Sequence, residues 1–207
     1  MKINLLFMQS NSDVNNFCYL GSIVSTNGGS DDDVTLRIAK ARAAFHKLQK
    51  IWDSRSISRN TKLSLFNSCV KSVLLYGSET WRVTDNITNK LQVFINTCLR
   101  RICHIFWPEV VINKDLWVLT KSKEVSNQIL ERKWRWIGHT LRKPANDLAR
   151  MAFEYDPQGN RQRGRPRITW RKSIAIESQQ FGSWNEIKRI AKDRVQWKNF
   201  VSALCSS

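Results

Sequence analysis

The chain has 207 residues, with 34 Lys and Arg against 17 Asp and Glu, a formal net charge of +17 and a pI near 10.1. That length supports one sizeable domain or two small ones with a buried core. An imbalance of this size costs self-repulsion in the folded state, which an anionic partner relieves; nucleic acid leads, an anionic membrane surface follows, and a generic basic surface is the bland alternative.

The cysteines, Cys18, Cys69, Cys98, Cys103 and Cys205, are odd in number, scattered and without a Cys-x-x-Cys pair. They exclude a disulfide framework, and the cluster of Cys98, Cys103 and His104 fits no standard zinc module. The expectation is reduced, mostly buried thiols and no metal. The apolar run Ile3 to Met8 is interrupted by Asn4 and is too short for a signal peptide or a membrane span. A soluble protein of the cytoplasm or nucleus, with no membrane contact, is expected.

The first segment reads as strands. Ile3 to Met8 and Phe17 to Ser25 are rich in β-formers, with Asn11, Ser12 and Asp13 between them and Asn27-Gly28-Gly29 after them. Ser30 then offers an N-cap, and Asp31, Asp32 and Asp33 fall in the first turn, where the helix dipole favours acids. Three successive helical aspartates diverge by about 100° each and do not converge on one ion. Val34, Ile38, Ala41, Phe45, Leu48 and Trp52 share a face, while Arg37, Lys40, Lys47 and Lys50 point elsewhere. Ser58 caps a second helix that ends near Tyr76-Gly77. Asp85 starts a third, through Leu91, Phe94, Ile95, Cys98, Ile102 and Ile105, with Pro108 marking its end. Asn113 to Leu119 is a helical turn with Trp117 in the core.

The segment from about Ser122 to Arg142 carries the clearest amphipathic pattern. Leu130, Trp134, Ile137 and Leu141 lie on one face and assign Trp134 to the core. Arg132, Arg135, His139 and Arg142 form a ridge on the other. Such a ridge can track phosphates, or it can be the solvated face of a surface helix. Beyond Pro144 the chain reads as loop-rich through Asn160. Arg161, Arg163, Arg165 and Arg167 then form a basic block that Gly164 and Pro166 keep from being a regular helix. Arg163-Gly164-Arg165-Pro166 is similar to an AT-hook core, whose arginines enter a narrow minor groove; a general phosphate contact is the alternative. Ile168, Trp170 and Ile174 suggest a helix restarting. Ser183 and Glu186 form a capping box for a final helix in which Ile187, Ala191, Trp197, Val201 and Leu204 share a face.

A search for catalytic residues finds none. No glycine loop carries a phosphate-binding lysine, no Ser-His-Asp set is evident, and His46, His104 and His139 fall on separate helices. The residues describe a binding protein without a cofactor.

Several stretches resemble, in order, the region that follows the polymerase active site in reverse transcriptases of non-LTR, LINE-type retrotransposons. They are Phe17-x-Tyr19-Leu20-Gly21-Ser22-Ile23, Val73-Leu74-Leu75-Tyr76-Gly77-Ser78-Glu79-Thr80-Trp81, Arg135-Trp136-Ile137-Gly138-His139-x-Leu141-Arg142, Arg163-Gly164-Arg165-Pro166-Arg167-x-x-Trp170 and Ala191-x-Asp193-Arg194-x-x-Trp197. The resemblance implies a mainly α fragment. Residues 1–29 would be a β-hairpin remnant of the polymerase palm, 30–120 a thumb-like helical bundle, and 121–207 a basic nucleic-acid-binding region. The family's catalytic aspartates would lie upstream of Met1, so none is carried over. Its zinc knuckle has no counterpart here. The implied partners are RNA and DNA, as template-primer or target DNA. Outside the resemblance stand a DNA-architectural or protein-interaction factor using the AT-hook-like loop, and a relic without function.

Overall fold

The computed structural model describes residues 16–19, 22–25, 30–155 and 170–205. It is mainly α-helical and divides into two compact units, residues 1–77 with 83–122 and residues 78–82 with 123–207.

The strands of the first unit are β1 (Asn16–Tyr19) and β2 (Ser22–Ser25), antiparallel, with Asn16 opposite Ser25 and Tyr19 opposite Ser22. This corrects the expected hairpin. The run Phe17 to Ser25, expected as one strand, holds two short strands paired with each other, as a glycine in mid-run favours. Ile3 to Met8, like the turn signals at 11–13 and 27–29, lies outside the described residues.

Helix α1 (Asp31–Lys47) begins with the three aspartates, but the expected cap is not made. Ser30 already has helical backbone angles, φ −92° and ψ −7°, and its side chain makes no capping bond. Arg37, expected on the outer face, is buried, its guanidinium 3.9 Å from Asp33 and 4.4 Å from the Tyr76 ring centroid. The chain breaks at Leu48 and resumes as α2 (Gln49–Asp53). Across that break the Trp52 ring stacks on Phe45 at 5.0 Å and its Nε1–H donates to the Phe45 carbonyl at 2.8 Å.

Helix α3 (Arg59–Leu65) starts where the Ser58 hydroxyl accepts the Thr61 amide, as expected, and runs through a π-helical stretch, Phe66–Lys71, into α4 (Ser72–Leu74). Around that stretch Ser68 donates to the Ser64 carbonyl and Ser72 to that of Ser68, so hydroxyls share acceptors where the helix widens. Gly77, at φ +76°, follows. Helix α5 (Asp85–Ile102) buries Ile87, Leu91, Ile95, Leu99 and Ile102. It ends well before Pro108, with His104 at φ +57°. In α6 (Asn113–Thr120) the buried residues are Leu116 and Thr120; Trp117 is half-buried, donating to Asn96 at 2.9 Å.

The second unit is built around α7 (Val125–Leu141). Trp134 and Ile137 are fully buried and Leu141 nearly so, as the spacing predicts. The expected loop after Pro144 contains α8 (Leu148–Glu154), capped by Asp147, whose carboxylate accepts the Ala149 and Arg150 amides. Helix α9 (Trp170–Ser178) follows the undescribed basic block. The expected final helix is two, α10 (Trp184–Lys192) and α11 (Arg194–Leu204). Asp193 divides them, because its carboxylate accepts the Val195 and Gln196 amides and thereby caps α11. The capping box at Ser183 and Glu186 is present, and Ile187, Ala191, Trp197, Val201 and Leu204 are all buried.

Of the described cysteines Cys98 is buried, Cys103 and Cys205 are half-buried and Cys69 is exposed, all as free thiols. Burial pushes the Cys98 thiol up to about 12. Among the described residues no helix is long and apolar enough to cross a membrane, and no cluster of His, Cys, Asp and Glu could hold a metal ion.

Candidate nucleic-acid interface

The site grows out of how α7 is held. The Trp197 indole of α11 crosses α7 at Gly138, where an added Cβ would lie 2.0 Å from its Nε1. Glycine is required there for space. The same Nε1–H donates to the Trp134 carbonyl at 3.0 Å, and Trp134 in turn donates to Glu177 of α9 at 2.9 Å. Lys133 of α7 is buried; its ammonium bonds Glu177 at 2.7 Å and Ser173 at 2.8 Å. Trp170 donates to the Glu79 carbonyl at 2.9 Å and packs edge-on against Trp136. The tryptophans of the ordered motifs are therefore architectural.

With α11 so placed, the ridge on α7 is split. Arg135 and Arg142 line a groove of about 620 Å³ that Arg194 and Lys198 of α11 also line. Arg132 and His139 fall outside that lining; Arg132 lies 3.9 Å from Glu79, and His139 is exposed. Arg135 bonds Glu131, one helical turn earlier, which also lies 3.7 Å from Lys123. Arg161, Arg163, Arg165 and Arg167 lie outside the described residues.

Arg142 sits at the centre. Its Nη1 donates to the Ala191 carbonyl at 3.1 Å, which fixes the guanidinium at the end of α10. Burial, and then the positive charge of Arg194, hold its pKa below the usual arginine range. Among the described residues no carboxylate forms an ion pair with Arg142 or Arg194. Arg142 and Arg194 line one groove with no ion pair to either, an arrangement that an anion stabilises.

A second groove, of about 500 Å³, also has Arg142 in its lining, with Arg150, Lys188, Arg189 and Lys192. Sequence reasoning missed Lys188, Arg189, Lys192, Arg194 and Lys198. The signal was available: each falls between the buried positions Ile187, Ala191, Trp197 and Val201, hence on the polar side of α10 and α11. They are spread thinly along the chain and become dense only once the helices pack.

Two grooves with cationic linings that share one arginine make this unit the candidate site for an anion. The comparisons with known proteins add its kinship. A sequence family described only as a domain of unknown function, DUF6451, matches residues 44–76, within the first unit. A Caenorhabditis elegans protein that bears the name of an uncharacterized transposon-derived protein is 25% identical over 194 residues, covering 89% of this chain and 69% of the relative. No solved structure matches the chain significantly. The likeness is thus to a transposon-derived protein, which is coarser than the resemblance carried by the motifs.

Proposed function

We propose that this chain is a nucleic-acid-binding segment of a LINE-type retrotransposon reverse transcriptase. In this reading residues 30–120 form its thumb and residues 121–207 grip template-primer or target DNA. No residue here is assigned a catalytic role. The motifs and the transposon-derived relative support the lineage. The observation that carries the binding role is Arg142, which forms no ion pair among the described residues and lines both cationic grooves, one of them together with Arg194 and Lys198. Phosphate groups are the anions such a track would follow, since guanidinium and ammonium groups contact phosphates without regard to sequence.

The test is binding of labelled RNA and DNA over a range of salt. If about five phosphates are engaged, log K falls against log salt with a slope of roughly −3.5 to −4.5, depending on strand form. Replacing Arg142 and Arg194 together by alanine makes that slope shallower by roughly 1.4 to 1.8. An affinity indifferent to salt overturns the reading.

A further inference from the structure

We propose that the pocket formed by α8, α9 and α10 takes an unpaired nucleobase, so that the polymer followed by the cationic grooves is single-stranded where it passes Lys188. This rests on the nucleic-acid reading above and adds what kind of strand is bound.

The pocket has a volume of about 590 Å³ and is walled by Phe153, Ile174 and Trp184. That size is ordinary for a site holding a small planar ligand. Phe153 and Trp184 lie with ring centroids 5.9 Å apart, tilted by 41°. Both are half-buried. Phe153 is braced by Trp136 at 6.1 Å and Trp170 at 5.9 Å, and Arg171 donates to its carbonyl at 2.7 Å. The rings are thus fixed before any ligand arrives, which lowers the ordering cost of stacking.

The rim supplies hydrogen-bonding groups of both kinds. Glu154 presents a carboxylate, one oxygen of which engages Lys188 at 3.0 Å, and Gln179 an amide, and between them they accept from and donate to the polar edge of a base. The decisive feature is continuity. Lys188 lines this pocket and also the cationic groove along α10, which itself shares Arg142 with the groove between α7 and α11. A phosphate track that ends at an aromatic pocket is the arrangement by which single strands are held, with charge on the backbone and rings under the bases. A paired base has no face free to enter.

The experiment compares the full chain bound to short single-stranded RNA and DNA, to the same oligonucleotides with abasic sites, and to duplexes carrying as many phosphates. Intact single strands are expected to bind roughly five- to a hundredfold tighter than their abasic counterparts. Trp184→Leu is expected to erase that difference while leaving the salt slope unchanged. A preference for the RNA or the DNA strand assigns the sugar and supports the base site either way. Equal affinity for intact and abasic strands of wild-type protein, with a steep salt slope retained, overturns the base site and leaves the nucleic-acid reading standing. Loss of salt-dependent binding to every probe overturns both. The abasic arm uses unmutated protein, so the outcome does not depend on the folding of a variant.

Discussion

In the first unit, the cations nearest the core are occupied by acceptors of that same unit. Lys62 is buried and donates to the Trp52 carbonyl at 2.7 Å, Arg101 pairs with Asp53 at 3.0 Å, and Arg100 donates to the Val111 carbonyl and to Asn113. In the second unit Lys133 is used in the same way and Arg142 donates to the Ala191 carbonyl, yet among the described residues Arg142 and Arg194 form no ion pair, and lysines and arginines of α10 and α11 line open grooves. The named cations of the first unit thus end on acceptors of that unit, whereas in the second Arg142 and Arg194 form no ion pair among the described residues and share one groove with Lys198. Charge counted over the whole sequence blends these two uses.

The largest expected effect tests whether binding belongs to the second unit alone. Trp52 and Trp134 are both fully buried, and each gives its indole N–H to an acceptor within its own unit. Replacing either by alanine is expected to cost about 3–5 kcal/mol, the usual range for deleting a buried aromatic. Urea denaturation checks the cost. Below the denaturation midpoint, Trp134→Ala is expected to weaken nucleic-acid binding and Trp52→Ala to leave it intact. Equal loss of binding in both variants would break the comparison.

Two glycines sharpen it further. Gly138 is needed because Trp197 occupies the space a Cβ would take, whereas Gly77 is needed because its φ is +76°. Gly138→Ala is expected to cost about 1–3 kcal/mol as an overpacked core position. Gly77→Ala costs about 1–2 kcal/mol as a left-handed one. Asparagine distinguishes them: thermal denaturation should show Gly77→Asn milder than Gly77→Ala, because asparagine tolerates that backbone region, and Gly138→Asn worse than Gly138→Ala.

What was legible in the sequence follows from the range of the interaction involved. Periodicity found the buried faces of α5, α7, α10 and α11, because burial there repeats at helical spacing. The capping box at Ser183 and the cap at Ser58 were legible because each is made within one turn. The breaks were not. Asp193 looks like one more polar residue on a helix until its carboxylate is seen to take two amides of α11, and Leu48 carries no mark of the break between α1 and α2. Ser30 matches a cap by type yet adopts helical angles. Burial of charge was also hidden, since Arg37 and Lys133 depend on partners or rings that approach from other turns or other helices. At the site, Arg135 and Arg142 were named from spacing, but the groove needs Arg194 and Lys198, which only the packing of Trp197 on Gly138 brings alongside.

The smallest expected effect concerns two exposed carboxylates. Hydrogen bonding from Lys188, followed by the charges of Lys188, Arg150 and Arg171, holds Glu154 below the usual carboxylate range against a weaker opposing effect of burial. Asp53 is likewise held low, first by Gln49 and then by Arg101. A depressed carboxylate contributes stability that is present above its unfolded pKa and is lost as pH falls through the folded one, so each pair fades only in acid. Exposed pairs of this kind contribute little to folding, and neither Glu154→Gln nor Asp53→Asn should shift the denaturation midpoint at neutral pH by much. Their effects on binding should differ. Glu154 lies on the rim of the aromatic pocket and engages Lys188 at 3.0 Å, a cation shared with the phosphate track. Removing its charge releases Lys188 to a phosphate, so Glu154→Gln is expected to tighten binding of abasic strands slightly and to steepen the salt slope by less than about one. Asp53 neighbours no such groove lysine, and Asp53→Asn should leave both quantities where they were. Titration of the two variants in parallel at low salt decides whether the acid beside Lys188 restrains the track or merely decorates it.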